Sequence, residues 1–160
     1  MTRILLHAAA ALCMVSAAAA GPVARPTAYD EMIAREAKSH GVPEAFVHRI
    51  VMRESRYNPR LVHNHCFGLM QIKYATARGM GYRGDAWGLL DPDINLTYAV
   101  PYLANAYRLA GGNEDRATAL FSSGYYYVAK RKKMQAILRT ATSPVLTLEP
   151  APPLFRIPSK

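Results

Sequence analysis

Acid is scarce in this chain of 160 residues: eleven Asp and Glu stand against twenty Lys and Arg, a formal charge of +9. Such a surface favours anionic partners such as nucleic acid, acidic glycopolymers or membrane headgroups, and charge alone does not choose among them. Cysteine is nearly absent, with only Cys13 and Cys66, too few to staple a small disulfide scaffold. No strand alternation lasts more than a few residues, and there is no internal repeat. Apolar residues make up 51% of the chain and charged ones 19%, a balance that can bury a core and excludes a disordered or collagen-like protein. The length allows one compact domain.

The N-terminus carries the longest apolar stretch. From Ile4 to Ala20 only His7, Cys13 and Ser16 interrupt it, and Ala18-Ala19-Ala20 precedes Gly21. This pattern predicts a secretory signal over residues 1–20, cleaved after Ala20, rather than a membrane anchor, because the stretch is short and alanine-rich and ends in small residues. Leu12 stands where a lipoprotein signal has a small residue before its cysteine, so Cys13 is not read as a lipid site. Cleavage removes Arg3 and takes the charge from +9 to +8, leaves Cys66 as the only thiol, and leaves no stable membrane anchor. The expected location is periplasmic or secreted. There an envelope polymer is the anion within reach, and no nucleic-acid-binding motif argues for RNA or DNA.

The rest reads as a succession of helices. Thr27 to Asp30 has capping-box spacing and predicts a helix to Ser39 or His40, stopped by Gly41. Pro43 suits the first turn of a second helix, with Phe46, Val47, Ile50 and Val51 on one stripe that Glu54 extends. Asn58-Pro59 is the expected break, followed by a loop with His63, His65 and Cys66, then a short helix near Leu69 to Arg78. Asp91-Pro92 opens a long helix through Leu96, Val100, Leu103 and Tyr107, which Pro101 is expected to kink. Further helices are expected from Glu114 to Ser123 and from Tyr126 to Leu138, and residues 141–160 form a proline-rich tail.

Glu54 carries the chemical signal. A carboxyl at the end of an apolar stripe is desolvated, which raises its pKa and keeps it protonated for general-acid work. A structural ion pair with Arg53 or Arg56 is the competing explanation. A second acid is hard to find: Ser55 to Gly84 contains no Asp or Glu. Asp91, Asp93, Glu114 and Asp115 sit at expected helix starts, where capping explains them. Asp85 is the remaining candidate.

Four motifs stand in order: Glu54-Ser55-Arg56-Tyr57-Asn58-Pro59, Gly68-Leu69-Met70-Gln71-Ile72, Tyr98 to Tyr107 centred on Tyr102-Leu103, and Ala119 to Gly124. Over residues 29 to 138 they resemble the soluble lytic transglycosylase (SLT) family, and Asp91-Pro92 with Asn95 looks like that family's entry to its long helix. The resemblance implies an all-α, lysozyme-like domain of the goose-type lysozyme fold over residues 21–140. It also implies cleavage of peptidoglycan glycan strands between N-acetylmuramic acid and N-acetylglucosamine, leaving 1,6-anhydromuramyl ends. Glu54 takes the position of the single catalytic acid and base. Ser55, Met70, Gln71, Ser122 and Tyr127 fall at supporting, substrate-binding positions, with the register of Tyr127 open against Tyr125 and Tyr126.

No cofactor or metal is implied. The His63-Asn64-His65-Cys66 run has metal-ligand residue types, but its spacing fits no standard zinc pattern. Small members of the family often open the wall for an envelope-spanning secretion or motility machine, which makes such a machine a partner to consider. The chain departs from the family at Leu120-Phe121-Ser122-Ser123-Gly124, where Ala-Tyr-Asn-Ala-Gly is usual. A hydrolytic, lysozyme-like muramidase and a catalytically weak peptidoglycan-binding scaffold are the alternatives.

Overall fold

The computed structural model describes residues 27–144. The expected signal over 1–20 and nearly all of the expected tail lie outside the described residues. Six helices and one small sheet make up the described part: α1 Asp30–His40, α2 Glu44–Ser55, β1 Val62–His63, β2 Cys66–Phe67, β3 Ile72–Lys73, α3 Tyr74–Gly79, α4 Pro92–Leu109, α5 Glu114–Ser123 and α6 Tyr126–Arg131.

α4 is the hub. Its N-cap Asp91 accepts a hydrogen bond from the Ile94 amide at 3.0 Å, and Pro92 occupies the first turn, where its missing N–H costs nothing. The helix continues through Pro101 to Leu109. Leu96, Ala99, Val100, Leu103, Ala106 and Leu109 are buried, and the helix packs against both α1 and α5. From α1 come Ile33 and Ala37, and from α2 Phe46, Val47, Ile50 and Val51, all buried. Each large side chain among these contributes about 1.5–3 kcal/mol by leaving water.

Helix ends are closed by a glycine stop and by side-chain hydrogen bonds. Gly41 stops α1 in the left-handed region, φ 65°. The α1 end is held to α4 by Arg108, whose Nη2 donates to the His40 carbonyl at 2.6 Å. α5 is capped by Asn113, which accepts from the Arg116 amide at 2.8 Å. Glu114 and Asp115 stand in the first turn of α5, at the expected helix start, and each also lies 3.3 Å from Arg49 on α2. The buried Asn105 of α4 donates to the Tyr125 hydroxyl and the Arg139 carbonyl, and accepts from Arg108 and the Arg139 amide, all between 2.8 and 3.0 Å.

Three expectations shift. Thr27–Tyr29 forms a 3-10 turn ahead of α1, and no side chain caps that helix. The expected helix from Leu69 is shortened to Tyr74–Gly79, because the preceding residues turn and then form β3. α6 stops at Arg131, and a separate 3-10 turn follows at Gln135–Ile137.

The sheet, order β1-β2-β3 and antiparallel throughout, occupies the expected loop. His63 pairs with Cys66 across a two-residue turn in which Asn64 and His65 both have positive φ, the backbone twist that short hairpins favour.

Candidate active site

α2 delivers Glu54 on its last turn. The helix ends at Ser55, three residues before Asn58-Pro59, because Arg56 and Tyr57 both enter the left-handed region at φ 52° and 62°. The buried Tyr57 hydroxyl lies 2.8 Å from Nδ1 of His48 on the same helix, and its ring stacks on Tyr29. The stop is therefore held from within the core, and Glu54 emerges from a rigid end.

The opening in front of Glu54 is a cleft of about 700 Å³. One wall is the sheet, with His63, Asn64, Cys66, Gln71 and Lys73 facing the space. The other is built from Tyr102 of α4 with Phe121 and Ser122 of α5. Tyr102 packs on Phe121 and Tyr125 at centroid distances of 5.5 and 4.6 Å, and burial pushes its phenol pKa up.

The Glu54 side chain is 21% exposed. Burial holds its carboxyl above the usual carboxylate value, opposed by the Arg53 cation 3.7 Å from Oε1. Among the described residues, Glu54 is the only carboxylate on the cleft wall. Asp85, the remaining candidate for a second acid, is absent from the cleft wall and accepts the Gly88 amide at 2.9 Å instead.

Gln71 sits at φ 47°, and its Nε2 donates to the carbonyls of Leu61 and Gly68, each at 2.9 Å. Both amide hydrogens are thereby engaged, leaving Oε1 as an acceptor at the cleft. The turn is pinned from below by Asn95, fully buried on α4. Its Oδ1 accepts from the Met70 amide at 2.9 Å, and its Nδ2 donates to the carbonyls of Phe67 and Leu89 at 2.8 Å. Ser122 lines the opposite wall, where its hydroxyl donates to the Thr118 carbonyl at 3.1 Å and accepts from Arg53 Nη2 at 3.2 Å.

Glu54, Gln71 and Ser122 are thus brought together. Ser55, Met70 and Tyr127 are not on the cleft wall. Ser55 is buried and donates back to the Val51 carbonyl at 3.2 Å. Met70 is 0% exposed, a core residue beneath the turn. Tyr127 is 78% exposed on α6, edge-on to Tyr126.

Tyr102, Lys73 and Thr76 line the cleft without standing among the residues expected there. For Tyr102 a signal was present: a phenol beside Ala99, Leu103 and Ala106 gives an apolar stripe one polar tip, as expected where a helix borders an opening. Cys66 also lines the cleft, with its Sγ 3.7 Å from the Asn64 carbonyl. Burial raises the thiol pKa; Lys73 opposes the shift and Glu54 adds to it. No group of three or more His, Cys, Asp or Glu side chains among the described residues is placed to hold a metal.

The chain matches the Transglycosylase SLT domain family over residues 31–142. It is 29% identical over 107 residues to the soluble lytic murein transglycosylases of Escherichia coli K12 and Salmonella typhimurium. That alignment covers 62% of this chain and 16% of each relative, so the match spans about a sixth of their length. The structure resembles the crystal structure of the 70 kDa soluble lytic transglycosylase from Escherichia coli, with a TM-score of 0.58 and 26% identity, covering 70% of this chain and 19% of that one. The family match spans well over half of the chain, and it coincides with the lysozyme-like helical fold that sets Glu54 at the end of α2: this chain belongs to the transglycosylase SLT domain family.

Proposed function

We propose that the protein is an exported peptidoglycan lytic transglycosylase in which Glu54 alone serves as acid and base. The observation that carries this reading is a desolvated Glu54 as the single carboxylate on the described cleft wall. A glycosidase of the ordinary kind needs two carboxyl groups about 5 to 10 Å apart, one to protonate the leaving oxygen and one to act as base or nucleophile. With one, the substrate must supply the second function.

Glu54, protonated, donates to the oxygen between N-acetylmuramic acid and N-acetylglucosamine, and that glycosidic bond breaks. The muramyl C1 passes through an oxocarbenium-like state that the neighbouring acetamido group can stabilise. The Glu54 carboxylate then takes the proton of the muramyl C6 hydroxyl, whose oxygen bonds to C1. Glu54 ends protonated, the product is a 1,6-anhydro sugar, and no water is consumed. The Oε1 acceptor of Gln71 suits an acetamido N–H, and the Tyr102 face suits a sugar ring. Arg53 and Lys73 give the cleft a positive rim compatible with the carboxylates of peptide stems.

Export rests on the apolar segment 1–20. Among the described residues no helix is long and apolar enough to cross a membrane. A periplasmic or secreted enzyme of this activity suits local opening of the wall for an envelope-spanning machine.

Digestion of purified sacculi tests the reading. Glu54→Gln keeps the side-chain shape without the proton and should lower turnover by about 10²- to 10⁴-fold, with the fold retained. Retention of more than about a tenth of the wild-type rate would remove Glu54 from the role. Mass spectrometry of the products should show muramyl ends lighter by one water than hydrolytic ends. Reducing ends in the majority would instead assign a muramidase.

A further inference from the structure

We infer that Arg53 is a positioning residue that bridges α2 to α5 beside Glu54 and holds a fixed cation against that acid throughout the reaction. This rests on the proposed acid and base role of Glu54.

The geometry comes from three contacts. Arg53 precedes Glu54 on the same helix end, and its Nε lies 3.7 Å from Glu54 Oε1. Its Nη2 reaches across to donate to the Ser122 hydroxyl at 3.2 Å. That hydroxyl is itself oriented, because its own proton is given to the Thr118 carbonyl one turn back on α5. Ser122 is therefore an acceptor aimed at the guanidinium. The planar guanidinium, with donors on both sides, is suited to hold two partners at once.

The chemical consequence follows from the charge that develops on Glu54. When its proton leaves for the glycosidic oxygen, a half-buried carboxylate is created in a site that disfavours it. A cation fixed at contact distance stabilises that carboxylate as it forms. An untethered, half-exposed arginine would spend much of its time in water, whereas the Ser122 bond retains it over the acid. In this chain the hydroxyl of Ser122 thus acts on the guanidinium rather than offering both of its hydrogen-bonding functions to a ligand.

Other groups facing Glu54 do not substitute for Arg53. β1 presents His63, β2 the thiol of Cys66, β3 Lys73 and α4 the phenol of Tyr102, while the α5 residues on the wall, Phe121, Ser122 and Ser123, carry no charge. Lys73 is a second cation at the rim, but the shift of Glu54 is opposed by Arg53.

The test is the pH profile of kcat/KM on purified glycan strands for wild type, Arg53→Gln, Arg53→Lys and Ser122→Ala. Activity requires protonated Glu54, so it falls as pH rises through the Glu54 pKa. Loss of the cation raises that pKa further and moves the alkaline limb to higher pH. For a half-exposed pair the shift should be about half a pH unit, and plateau kcat should fall about two- to five-fold. Arg53→Lys should return the limb most of the way, and Ser122→Ala should move it in the same direction as Arg53→Gln by less. Added salt should reduce the difference between wild type and Arg53→Gln.

A limb that stays in place or moves to lower pH in folded Arg53→Gln, with Glu54→Gln inactive, overturns this inference alone. An active Glu54→Gln overturns the catalytic reading and this inference with it. Should Arg53→Gln lose its fold, the limb of Ser122→Ala decides, a shift upward supporting the tether and no shift overturning it.

Discussion

A β-carbon on Gly68 would lie 2.4 Å from Asn95 Nδ2 and 2.4 Å from the Leu89 carbonyl oxygen, two atoms that are themselves hydrogen-bonded at 2.8 Å. Gly68 also has φ +70°, so backbone conformation and space both demand glycine. Gly68→Ala should cost about 3 kcal/mol of stability. Asn95→Ala should cost a similar amount, because it leaves the Met70 amide and the Phe67 and Leu89 carbonyls without their partner. Urea unfolding of both variants measures this. A loss below about 1 kcal/mol in either would show that the turn can move off α4.

Cys66 borders the acid without a chemical part in the proposed reaction. Burial keeps its thiol protonated near neutral pH, which makes it a slow nucleophile. Cys66→Ser should leave turnover within a few-fold. A bulky maleimide forced onto the wild-type thiol at raised pH should block the cleft and abolish glycan cleavage. Full activity of the labelled protein, with labelling verified by mass, would show that substrate does not pass the sheet wall.

Ser122→Asn should raise kcat/KM about two- to ten-fold, the equivalent of one neutral hydrogen bond to substrate. The amide oxygen can still accept from Arg53, while the amide nitrogen adds a donor that serine lacks. Ser122 is exposed, so the longer side chain has room. Steady-state rates on sacculi compare the two forms. A lower rate in a folded variant would mean that the Arg53 tether outweighs a new substrate contact.

His40 predicts the acid side of the stability curve. Burial, with Arg108 and Arg139 nearby, lowers its pKa to about 4, and this outweighs the Glu36 carboxylate 3.7 Å from Nε2. Between its ordinary value of 6.5 and about 4 the unfolded chain binds the proton that the folded chain refuses. Stability attributable to this residue is therefore full above pH 6.5 and lost as pH falls towards 4, on the order of 2 kcal/mol. His40→Gln should flatten unfolding free energy against pH across that window. An unchanged slope would locate acid sensitivity elsewhere.

The parts of the fold written in local chemistry were legible. α5 runs from Glu114 to Ser123 as expected, and α4 begins at Asp91-Pro92, because caps and the 3.6-residue period are properties of neighbouring residues. The stripe that ends at Glu54 was visible for the same reason. The sheet was not. Asn64, His65 and Gln71 adopt positive φ without being glycine, a choice made by hairpin pairing and by the grip of Asn95 from a helix 25 residues later. The same distance between cause and effect hid the placement of Met70, whereas Ser55 turned away from the cleft to bond its own helix one turn back. Their positions in a motif say that the motif matters, whereas only packing shows that Ser55 is bonded to its own helix and that Met70 supports the turn from the core.

Asn105 bears on where this domain can be cut. All of its hydrogen bonds to Arg139, Tyr125 and Arg108 lie between 2.8 and 3.0 Å, and the Ala141 amide donates to the Met80 carbonyl at 3.2 Å, just beyond α3. A chain ended after α6 would leave a buried amide facing absent partners and would uncover the end of α3. The smallest autonomous folding unit therefore reaches past α6, and residues 139–141 act as a latch that closes the bundle from that side.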